Sequence, residues 1–313
     1  MELTDEEVRL IRVSRFGRGA HILGVTVLPL QGESPIQKAL IALGGDSSDP
    51  GNNEVRLFCS PKGAYAFLHS LDNQDHALQA ADLVKIPQST LNLEDPLGYM
   101  HFILNPKNGE PYDRSVPEKK WLFAGAKKNF LEEMSLKLKG LCQVKLVHWS
   151  LLSAMQGLLE GLREGDTKVV LMLMIGSDSS WAVVANPQEI VAVRSLSIGT
   201  KSLGINFNNL DFDHLQNDAQ VVSSLERFQR EIETFIGFYE LENALNINAL
   251  CFVWPQESAL PLSHYFKDKM GLKILSIDLL GMLQKKSIVV DNKDSFIPLG
   301  ENGLAIISSI LNT

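Results

Sequence analysis

Leu173-Met174-Ile175-Gly176-Ser177-Asp178-Ser179-Ser180-Trp181-Ala182-Val183-Val184 is the stretch that decides the fold. An apolar run reaching back to Lys168 meets a short turn of glycine, serine and aspartate, and a second apolar run follows. Small hydroxyl and carboxylate side chains close tight turns on their own backbone, so the pattern reads as a β-hairpin. Its first strand is continuously apolar, which suits the centre of a sheet covered on both faces. After an Asn186-Pro187 turn, a further strand is predicted over 189–193.

Reading outward toward the C-terminus, a polar stretch over 206–217 precedes the longest predicted helix, 220–244. Val221, Leu225, Phe228, Ile232, Phe235 and Tyr239 recur there at spacings of four and three, so one face is buried. A strand over 249–254, a helix near 261–270, a strand over 272–277 and a closing helix over 303–311 complete this half. Reading back toward the N-terminus, Val8 to Val13 and Ile22 to Leu28 alternate as another hairpin. Ser34-Pro35 opens a helix that Gly44-Gly45 ends, a strand covers 54–59, and Ser60-Pro61 predicts a second helix to about residue 71. Further on come a helix-like stretch around 96–104, a strand over 121–126, a helix over 128–139, a strand over 144–149 and a helix over 150–163.

The 313 residues suffice for two domains, and 45% hydrophobic content gives each a core. A net charge of −8 argues against nucleic acid as a partner. Cys59, Cys142 and Cys251 sit singly in apolar runs, with no disulfide or zinc spacing, and fit a reducing cytoplasm. No secretory signal is read, and no apolar run approaches the roughly 18 residues of a membrane span, so a membrane association would go through partners. His69 and His76 lack partners at ligand spacing, and His148 reads as a packed residue.

With these phrases in this order, the chain resembles the PilM family of type IV pilus machines, in the branch of the actin-like superfold that includes FtsA. The likeness rests on the second hairpin and on Arg194-Ser195-Leu196-Ser197-Ile198-Gly199-Thr200, which leads out of the sheet. It also rests on the long helix, on Ile86-Pro87, and on the stretch from Trp121 to Trp149, which is similar to the far side of an inserted subdomain. It covers about 80–240. The resemblance implies an α/β, actin-like (ribonuclease H-like) two-lobed fold with a ferredoxin-like inserted subdomain. The first lobe would be 1–164, with the insertion at about 80–145, and the second 165–313, its closing helix packing back on the first.

By the same resemblance the protein would be a cytoplasmic scaffold, peripheral to the inner membrane. It would bind the N-terminal peptide of a PilN-like membrane protein between insertion and first lobe, alongside other pilus inner-membrane components. Ile86, Pro87 and Leu91 are the candidate groove residues. The nucleotide site would draw on Glu2, Thr4, Gly176, Ser177, Asp178, Ser179, Gly199 and Gln256. Three departures weaken it: Thr4 puts a β-carbon and nearby carboxylates where phosphate would sit, Met174 replaces an aspartate, and Trp254-Pro255 replace paired glycines. No cofactor and no catalysis are therefore expected, residual binding of ATP with magnesium remaining the alternative. Ser177 to Ser180 read either as an anion nest or, preferred here, as a self-stabilised turn. The alternatives to an adaptor are an ATP-binding switch of a pilus or type II secretion (GspL-like) machine and an FtsA-like filament former.

Overall fold

The computed structural model describes residues 1–3, 7–16, 19–30, 34–42, 54–71, 80–83, 85–163, 169–204, 217–253, 260–296 and 303–311. The first lobe opens with β1 (Glu2–Leu3), β2 (Glu7–Phe16), β3 (Gly19–Pro29), α1 (Pro35–Ala42) and β4 (Glu54–Cys59). The chain then builds a small sheet from β5 (Tyr65–Ser70), α2 (Ala80–Leu83), α3 (Lys85–Leu91), β6 (Tyr99–Leu104) and β7 (Lys120–Lys127). It returns through α4 (Lys128–Leu138), β8 (Gln143–Trp149) and α5 (Ser150–Arg163). The second lobe holds β9 (Val170–Ile175), β10 (Ser180–Ala185), β11 (Ile190–Leu196), α6 (Ala219–Asn243), β12 (Ala249–Val253), α7 (Leu260–Met270) and β13 (Lys273–Ile274). Last come α8 (Leu279–Lys285), β14 (Val289–Val290) and α9 (Leu304–Leu311).

The two lobes repeat one plan. The second-lobe sheet runs β11-β10-β9-β12-β13, with β10 antiparallel to both neighbours and β12 parallel to both. The first-lobe sheet runs β3-β2-β1-β4-β8 with the same polarities, and β14 is added in parallel outside β3. Three meandering strands and two crossover strands in the same order, used twice, give the expected two-lobed architecture.

Strand β9 shows why its sequence is apolar throughout. Val170 and Met172 face a core shared with α5, α8 and α9, while Leu171, Leu173 and Ile175 face a core built by α6 and α7. The six stripe residues of α6, Val221 to Tyr239, are all buried, each worth about 1.5–3 kcal/mol in water-exclusion. Asp218 caps that helix by accepting from the amides of Gln220 (2.9 Å) and Val221 (3.2 Å). Ala244, at φ 51°, ends it.

The insertion differs in extent from its expected range. Residues after Ser60-Pro61 form β5, not a helix, because Gly63 (φ 66°) turns the chain and Tyr65 to Ser70 pair in antiparallel register with β7. Phe67 stacks on its cross-strand partner Phe123, with centroids 5.6 Å apart. The helix-like stretch around 96–104 is one 3₁₀ turn, Pro96–Gly98, followed by β6. The small sheet runs β5-β7-β6 and thus begins at Tyr65, upstream of residue 80. β5 and β6 are parallel with β7 between them, a split βαβ unit like three strands of a ferredoxin-like sheet. The strand that would be the fourth, β8, instead pairs with β4 in the first-lobe sheet. β7 is apolar on both faces: Trp121 and Phe123 face the insertion's own core, Leu122 and Ala124 the shared one.

Candidate functional site

The two hairpin turns at the ends of β1 and β9 are where the fold would meet a phosphate. Glu2 lies at the first and is buried. Its Oε2 accepts from Arg9 Nη1 at 3.0 Å, and Arg9, equally buried, also donates through Nε to Glu7 at 3.3 Å. The carboxylate thus faces a guanidinium across the hairpin. Thr4 lies outside the described residues, as do Trp254 and Gln256.

At the second turn the backbone closes on itself. The Gly176 amide donates to Ser179 O (3.0 Å), the Thr200 amide to Gly176 O (2.9 Å) and the Lys201 amide to Ser177 O (3.0 Å). Gly199 lies flat on this turn: a Cβ there would stand 2.5–2.6 Å from the Ser177 carbonyl and the Ser179 nitrogen. No side chain fits such an approach. Ser180 is buried and donates to Ile198 O at 2.6 Å. Asp178 is met by two lysines, Lys62 from the β4–β5 turn at 3.0 Å and Lys201 at 3.1 Å. These hydrogen bonds, Lys62 first, hold its carboxyl below the usual carboxylate range. The pair with Lys62 ties the second lobe's turn to the first lobe.

The two lobes also meet through an apolar contact. Trp149, the last residue of β8, packs edge-on against Trp181 of β10, with ring centroids 5.6 Å apart. Trp181 pairs in register with Met174, and Met174 packs against the same core. His148 stacks on Phe58 at 4.8 Å. Its Nε2 is buried without a hydrogen-bond partner, and burial, then the charge of Arg56, lowers its pKa. Arg9, Lys62, Lys201 and the tryptophan pair are the residues that sequence spacing missed.

The candidate groove residues divide. Pro87 is buried, and Ile86 is half-buried, packed against the insertion's own core of Leu83, Trp121 and Phe123. Leu91 is exposed. Among the described residues, no group of three His, Cys, Asp or Glu side chains could hold a metal, and no helix is long and apolar enough to cross a membrane. The three cysteines are free and buried; burial, with the charge of Glu2, pushes the Cys59 thiol up to about 12.

No family model matches the chain, and no curated protein sequence does. Solved structures do match. The PilM-PilN type IV pilus biogenesis complex aligns over 99% of this chain and 96% of that one, with a TM-score of 0.71 at 13% identity. A Bacteroides thetaiotaomicron protein with an actin-like ATPase fold and unknown function aligns at a TM-score of 0.43 and 7% identity, covering 84% and 89%. The cytoplasmic domain of EpsL, an inner-membrane component of the Vibrio cholerae type II secretion system, aligns at 0.40 and 10%, covering 81% and 80%. With two lobes of one strand order and a split βαβ insertion between β4 and α4, the chain has the actin-like fold in the form it takes in the PilM-PilN complex.

Proposed function

We propose that this protein is an adaptor of a type IV pilus-like inner-membrane assembly, which captures the extended N-terminal tail of a PilN-like membrane protein and does not hydrolyse ATP. The observation that carries the reading is the state of the lobe junction. Glu2 is paired with Arg9, Asp178 with Lys62 and Lys201, and Trp149 of the first lobe packs on Trp181 of the second in the core against which Met174 also lies. A magnesium-bound nucleotide needs carboxylates that orient its water shell and a turn open to phosphate oxygens. The pairing of Glu2 with Arg9 and of Asp178 with two lysines argues against that group here. What remains useful in the fold is surface. β8 is the outer strand of the first-lobe sheet, reached through α4 directly from the insertion, and its Leu146 and Val147 are exposed. A free strand edge with apolar side chains suits an extended peptide, which adds backbone hydrogen bonds and seats alternate residues in pockets.

The test is calorimetry of the full chain, first with ATP and magnesium, then with the N-terminal peptide of a PilN-type protein from the same organism. The expected result is no nucleotide heat, peptide binding that nucleotide leaves unchanged, and at least ten-fold weaker peptide binding in Leu146→Asp. Tight ATP binding would instead establish the switch reading, in which nucleotide closes the lobes and alters partner affinity.

A further inference from the structure

At the far end of α6 three large apolar side chains face outward. Leu241 is 86% exposed, Phe238 63% and Leu245 49%. A rotation of about 100° per residue places Phe238 about 100° and Leu241 about 160° around the helix from the buried Tyr239. Leu245 follows just beyond the left-handed Ala244. Gly237 shares this outer side, and nothing stands within 4 Å of where its Cβ would be, so a neighbour can approach the helix backbone. Single exposed leucines are ordinary; three large apolar groups within two turns at one helix end form a patch.

The charge around the patch says what covers it. Over 237–247, beside the patch itself, the charged residues are Glu240 and Glu242, and the nearest basic residues of the helix, Arg227 and Arg230, lie about two to three turns back. Glu242 is exposed, and the last turn has no basic residue to offset the negative carbonyl end of the helix. The chain as a whole carries −8. A second copy seated on the same patch through a two-fold axis would bring these glutamates against themselves. An anionic lipid surface would meet like charge as well. We infer that the Phe238–Leu241–Leu245 face binds a cationic amphipathic helix of a partner protein. Its apolar side rests on these three residues and its lysines or arginines reach the exposed Glu242.

This surface lies on the second lobe, away from β8, and stands or falls independently of the adaptor reading. The test titrates the full chain into a fluorescein-labelled, 18-residue amphipathic peptide of leucine and lysine, and into its leucine and glutamate counterpart. The leucine–lysine peptide should bind at least ten-fold more tightly than the counterpart. That binding should fall at least ten-fold in Phe238→Ser/Leu241→Ser and measurably in Glu242→Lys, and should be unchanged in Leu97→Ser, whose side chain is 82% exposed on the insertion. Circular dichroism melts of each variant should match the parent, since the altered side chains are exposed. Binding that survives the double substitution, or equal binding of both peptides, overturns the inference. So does sedimentation showing self-association, or flotation showing capture by phosphatidylserine vesicles, that the double substitution abolishes.

Discussion

One chemical change, glycine to alanine, should have opposite effects on two helices of this protein. In a helix interior the added methyl removes backbone freedom from the unfolded chain and is worth about 0.5–1 kcal/mol. Gly237 of α6 has nothing within 4 Å of a built Cβ, so Gly237→Ala should stabilise by about that amount. Gly157 of α5 lies against α9. A Cβ there would stand 2.7 Å from Leu304 Cδ1, 3.0 Å from its Cγ and 3.1 Å from its carbonyl oxygen. The leucine side chain could swing, but it is buried, and the carbonyl belongs to the helix backbone. The helices must therefore part, which in a filled core costs about 1–3 kcal/mol. Subtracting the propensity gain leaves Gly157→Ala destabilised by about 0.5–2 kcal/mol. Urea unfolding followed by far-ultraviolet circular dichroism reads both as midpoint shifts at constant slope. If the two variants moved the midpoint the same way, the close packing of α5 on α9 described above would be wrong.

Arg9→Met should cost about 3–5 kcal/mol in the same assay, because it strands the buried Glu2 carboxylate, and Glu2→Gln added to it should recover part of the loss. Trp149→Ala and Trp181→Ala should each cost about 3–5 kcal/mol, with a double-mutant coupling of about 1 kcal/mol; a coupling near zero would mean the rings do not touch. His148 is held below its ordinary pKa, so the folded state disfavours its charged form and the unfolded chain takes up the proton first. Stability should then be level above the unfolded value of about 6.5 and fall as the pH drops below it, a slope that His148→Phe should flatten.

What was legible in the sequence was what local periodicity encodes. The stripe of α6 spans about five turns, and every residue assigned to its buried face is buried. The second hairpin was legible because Gly176 to Ser179 admit few structures other than a turn. β5 was misread because Ser60-Pro61 imitates a helix start and Tyr65 to Ser70 do not alternate. The strand exists through its pairing with β7, more than fifty residues away, which no local pattern reports. Of the expected nucleotide residues, Gly176, Ser177, Asp178, Ser179 and Gly199 meet at one turn and Glu2 sits in β1, but their neighbours come from distant positions: Arg9 from the opposing strand, Lys62 from the other lobe. Spacing cannot reveal such neighbours. Ile86-Pro87 was visible as a phrase, but only the fold shows that Ile86 packs against the core of Trp121 and Phe123.

The short strand β14 has a consequence for how the chain is made. Val289 and Val290 complete the outer edge of β3 beside His21 and Ile22, the Asp291 amide donates to Ile22 O, and the Asp291 carboxylate pairs with His21. On the ribosome, the first lobe therefore emerges with one edge of its sheet open and stays so until the second lobe has been synthesised. A nascent chain stopped before residue 289 should leave its β2–β3 hairpin open to protease or to a chaperone.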